Sequence, residues 1–182
     1  MKTRKVIIYT GKRFEVPQCI QRIDHRATHG WQLRYGGTKM FSDGAPGAAD
    51  SLARATHELL ARIARLPAPS LLQTRPNRNK TNDLPVGISG PIVRQRRGGK
   101  SRDCSFNVSL PNFGGKPRGR SVYIGTETTY TIQRYERALE KAILLRKKAE
   151  RAYKSDATKA KRADAEKLKA KQAARGSRAA RA

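Results

Sequence analysis

The chain has 182 residues, with 40 lysines and arginines against 14 aspartates and glutamates, a formal net charge of +26 and a pI near 11.1. A 37% hydrophobic share supports small cores and excludes one large core. A field of this sign concentrates polyanions, so nucleic acid is the first partner to consider. The longest apolar run, Val6-Ile7-Ile8-Tyr9, is far shorter than a membrane span or a signal-peptide core, so no membrane partner is expected, and a cytoplasmic, nucleoid-associated location is.

Taken in order, "KVIIYTGKRFEV" reads as two short strands around Thr10-Gly11-Lys12, so residues 1–17 form either a β-hairpin or a basic arm. Cys19 follows, 85 positions before Cys104 with no CxxC spacing, and both read as small buried apolar residues rather than zinc ligands or a disulfide. Three extended runs come next, the last two being "GWQLRY" and "TKMFSD". From Asp50 the positions Leu52, Ala55, Leu59 and Ile63 recur at helical steps, with Asp50 or Ser51 as the cap and a stop before Pro67. Residues 18–66 are thus a first module.

Residues 67–86 carry prolines, asparagines and basic residues without apolar periodicity and read as an extended, solvated linker. The same order then returns over 87–153: "PIVRQR" extended, "CSFNVSL" alternating, a turn cluster, "RSVYIGT" alternating, and a helix on Ile132, Tyr135, Leu139, Ala142 and Ile143. From Arg146 to the last residue the chain has 14 basic and 4 acidic residues. Beyond Lys154 no periodic apolar face is read, so 154–182 is expected to be a basic tail of frayed helix or disorder that orders on a polyanion.

The fold class expected is α+β: two small modules, each a three-stranded antiparallel sheet packed on one helix, with a basic C-terminal tail. One helix covers one sheet face, and alternation says which. Phe106, Val108, Leu110, Val122 and Ile124 point inward, whereas Ser105, Asn107, Ser109, Ser121 and Tyr123 point outward. In the first module Trp31, Leu33 and Tyr35 share the inner side, and Gln32 and Arg34 the outer one. Beside these faces lie Arg94, Arg96, Arg97 and Lys100, and at the second hairpin Lys116, Arg118 and Arg120.

These residues resemble the ethylene-responsive-factor, or Apetala-class, DNA-binding domain in its divergent bacterial and phage form. "VRQRRGGK" looks like the family's first strand, "SVYIGT" like its third, and "RYERALEKAILLRKKAERAY" like its alanine-bearing helix. "RIDHRATHGWQLRY" and "KMFSDG" match more loosely, making a tandem arrangement. The resemblance implies a three-stranded sheet lying in the DNA major groove. Carried onto matching positions, it implicates Arg94, Arg96, Asn107 and Tyr123, the last standing where plant members usually have tryptophan. In the first module Asp24 stands where a basic residue is expected, leaving Arg26, Gln32, Arg34 and Met40 as candidates.

A strand ribbon fits the major groove, where arginine pairs with guanine and asparagine with adenine, while flanking cations neutralise phosphates. His25 and His29 are four apart but lack a third ligand, so no metal is expected. No nucleophile elbow, phosphate-cradling loop or carboxylate pair is present, so neither an enzyme nor a cofactor is expected. The sequence therefore reads as a double-stranded DNA-binding protein, a transcriptional regulator or mobile-element accessory protein. The alternative is an RNA-binding or ribosome-associated basic protein.

Overall fold

The computed structural model describes residues 1–76, 78–95 and 101–179, with side chains up to residue 174. It is α+β, with three antiparallel sheets and two helices. The chain divides into two compact units: Met1–Pro69 with the segment from Thr158 onward, and Ser70–Ala157.

The first unit opens with a hairpin of β1 (Thr3–Ile7) and β2 (Arg13–Pro17). The left-handed Gly11 supplies its turn. A three-stranded sheet follows, in the order β3 (Ile20–His25), β4 (Thr28–Arg34) and β5 (Thr38–Ser42). The stretch "GWQLRYGGTKMFSD" makes up most of β4 and β5, and Gly36 and Gly37 turn between them with positive φ. Register places Trp31 between Arg22 and Phe41, and Leu33 beside Ile20. Helix α1 (Gly47–Arg65) covers this side through Ala55, Leu59 and Ile63.

The α1 start differs from the expected Asp50 or Ser51 cap: the helix begins earlier, at Gly47, with Pro46 in the cap position and no side-chain cap bond. Ser51 is buried and directs its hydroxyl to Asp43 at 2.6 Å, so tertiary bonding has taken the group that a cap would use.

The second unit contains β6 (Ile88–Gln95), β7 (Arg102–Leu110) and β8 (Arg118–Thr126), paired in that order. Helix α2 runs from Ile132 to Ala179. Its residues up to Ala157 belong to the second unit, where Ala138 and Ala142 pack with Tyr135 on Phe106, Val108, Val122 and Ile124. The Phe106 and Tyr135 rings meet edge to face at 5.1 Å.

One expectation is corrected. The architecture is not two modules of three strands on one helix but sheets of two, three and three strands, because β1 and β2 form their own sheet, and Val16 of β2 with Ile8 just past β1 joins the first unit's core. The basic tail, expected as frayed helix or disorder, is helical through Ala179. Its inward stripe is Thr158, Lys161, Ala165 and Leu168, three- and four-residue steps in which polar residues occupy half the positions. Ala165 joins the first unit's core, Thr158 Oγ1 accepts the Ala68 amide at 3.1 Å, and the N-terminal ammonium pairs with Asp164.

Candidate nucleic-acid interface

The second unit's outer sheet face is polar. Pairing of Ile92 with Ser105, and of Ser105 with Tyr123, sets these three side by side; Ser89, Asn107 and Ser121 form the next row, and Arg94 pairs with Asp103. Paired residues share a face, so Arg94, Ser105, Asn107, Ser121 and Tyr123 all stand opposite the α2-covered side. Tyr123 is 52% exposed although its strand neighbours Val122 and Ile124 are buried. An aromatic ring, a guanidinium and an amide thus emerge from a sheet face of mostly small hydroxyl residues, with few but distinct donors.

Register places Arg118 and Arg120 elsewhere. They pair with Leu110 and Val108, on the helix side of the sheet, and are exposed at the β8 end rather than within the outer face. Arg96, Arg97 and Lys100 lie outside the described residues. Within the second unit, Gln73, Asn79, Lys80 and Asn82 form the opposite wall of a cavity of about 430 Å³ against Ser89, Asn107 and Ser109. Sequence reasoning left this part of the linker as solvated chain, and no periodicity could have found it.

In the first unit the outer face carries Gln21, Gln32, Arg34, Thr38 and Met40, with Gln32 paired to both Gln21 and Met40. Arg34 Nε donates to Gln32 Oε1 at 2.6 Å, so these two candidates act as one hydrogen-bonded pair. Arg26 is exposed in the β3–β4 turn.

Asp24, which stands where the resemblance expects a basic residue, is bonded to Arg22 and His29. Arg22 bonds Asp43 through both terminal nitrogens at 2.9 and 2.6 Å, reaches Asp24 through Nε at 2.9 Å, and lies over the Trp31 ring at 4.9 Å. The Asp43 carboxyl is held below its usual range, first by the Arg22 bonds and then by Ser51. Burial pushes the Asp24 carboxyl up, but bonds from Arg22 and His29 outweigh it and leave it lowered. This network is a structural clasp on the helix side of the sheet.

His29 is engaged as well, with Nδ1 3.0 Å from Asp24 and its ring stacked on Tyr9 at 4.3 Å. Among the described residues no group of three or more His, Cys, Asp or Glu side chains could hold a metal. Cys19 and Cys104 are free and half-buried, and burial pushes the Cys104 thiol up. No helix among the described residues is long and apolar enough to cross a membrane.

Comparison with protein families, curated proteins and solved structures returns no match for this chain, so no relative speaks for or against the Apetala-class resemblance.

Proposed function

We propose that this is a non-enzymatic double-stranded DNA-binding protein in which each three-stranded sheet with its helix acts as one binding module. The β6–β8 outer face enters a major groove. The observation that carries this reading is the shared outer face of Arg94, Asn107 and Tyr123 on a three-stranded sheet whose other side packs on α2 through Phe106, Val108, Val122 and Ile124. Arginine and asparagine are the side chains that pair bidentately with guanine and adenine edges, and a sheet ribbon fits the groove that displays them. Arg118 and Arg120 flank the sheet and contact phosphate, which fixes register without reading sequence. The first unit, with a single arginine on its outer face already bonded to Gln32, contributes positioning more than reading. A role as a transcriptional regulator or mobile-element accessory protein follows from such binding.

The test is substitution on the outer face. Asn107→Ala and Tyr123→Ala remove exposed side chains and leave the core intact. Each is expected to weaken binding to a selected duplex by about tenfold, the scale of about 1–3 kcal/mol per specific contact, while leaving binding to scrambled duplex unchanged. An equal loss on all sequences would reduce these residues to backbone contacts.

A further inference from the structure

The second unit has another cationic surface, on the outward side of α2. Arg137, Lys141, Lys148 and Arg151 are all exposed and lie at steps of four, seven and three residues. At 100° per residue these positions share one stripe about 21 Å long. Exposed Leu144, 67% accessible, lies midway along it. Ala138, Ala142 and Tyr135 face the opposite way, into the sheet. The stripe and the Tyr123 face therefore look away from each other on opposite sides of one unit.

Three helix cations are neutralised locally, Arg54 with Asp50, Arg62 with Glu58, and Arg146 with Glu150, each one turn apart. None of the four stripe cations has such a partner among the described residues. Glu136 and Glu140 flank the N-terminal end of the stripe and make no ion pair with it there. Like charges one turn apart, as at Arg137 and Lys141, destabilise a helix. A polyanion laid along the stripe removes that repulsion.

We propose that this face of α2 grips the phosphate backbone of a second DNA duplex, so that one chain bridges two duplexes. The inference rests on the sheet-face reading for the first duplex only. A stripe of about 21 Å spans roughly six phosphates of one strand at 3.4 Å of axial rise each, enough for four contacts. Lacking base-reading amides, the stripe binds without sequence preference.

The experiment is co-capture of a fluorescent duplex on an immobilised duplex of different sequence, using the full chain. The wild type is expected to capture it. Arg137→Gln, Lys141→Gln, Lys148→Gln and Arg151→Gln together, which keep good helix formers, should lower capture at least tenfold and reduce the log–log salt slope by about 3 to 4. The charge-conserving set Arg137→Lys, Lys141→Arg, Lys148→Arg and Arg151→Lys should retain capture, and Glu136→Gln with Glu140→Gln should strengthen it. Capture retained by the glutamine set, or no capture by the wild type, overturns the proposal. Tyr123→Ala separates the two readings: it should lower sequence preference by about tenfold and leave the stripe's salt-dependent binding intact. Loss of stripe binding in the glutamine set with sequence preference unmoved by Tyr123→Ala would defeat the sheet reading alone.

Discussion

Arg22 decides more of the first unit than its surface charge suggests. Its side chain is 6% exposed and held by two carboxylates, so removing one leaves a buried guanidinium partly uncompensated. Asp43→Asn is expected to cost about 3 kcal/mol in thermal or denaturant unfolding followed by the fluorescence of Trp31, the single tryptophan. The pH dependence follows from the same bonds. Both Asp43 and Asp24 have lowered folded values, so their contribution is fully present above the ordinary carboxylate range and is lost as pH falls through the lowered values, below about pH 4. Trp31 fluorescence should report a cooperative loss in that window, and Asp43→Asn should flatten it. At this scale the sequence was half legible. Trp31 and Leu33 declare their inward side by alternation, but the bonds of Arg22 to Asp24 and to the distant Asp43 leave no local pattern.

The elements were more legible than their register. Alternation in "CSFNVSL" and "RSVYIGT" placed β7 and β8, and the three- and four-residue steps placed both helices, because packing against one face imposes a period. Arg118 and Arg120 read as cations beside the second hairpin, and their two-residue parity with Val122 assigns them to the helix side of β8, where register puts them. The α2 extension escapes because its inward stripe includes the half-buried Thr158 and Lys161, and a stripe of mixed polarity carries little hydrophobic signal. Its role is testable. Leu168 is 7% exposed, and Leu168→Ala should destabilise the first unit by about 2 kcal/mol, read as a lower melting temperature. Deletion from residue 158 onward should lower it further, whereas an unattached tail would leave it unchanged.

For the whole molecule, the proposed function assigns affinity to charge and choice to the outer sheet face. A net charge of +26 will draw the chain to any polyanion, with affinity falling steeply as salt rises, so binding alone says little about function. What separates duplex DNA from RNA is groove shape: an A-form helix hides its major groove, and a sheet bearing Arg94, Asn107 and Tyr123 has no matching surface there. Single-stranded RNA would be read by stacking on several aromatics, and the described outer face of β6–β8 offers Tyr123 alone. The most direct measurement is selection of bound fragments from random duplex DNA at near-physiological salt with structured RNA as competitor, run on the wild type and on Tyr123→Ala with Asn107→Ala. The account predicts an enriched motif that RNA does not displace and that the double variant loses. Flat enrichment, or ready displacement by RNA, would contradict it.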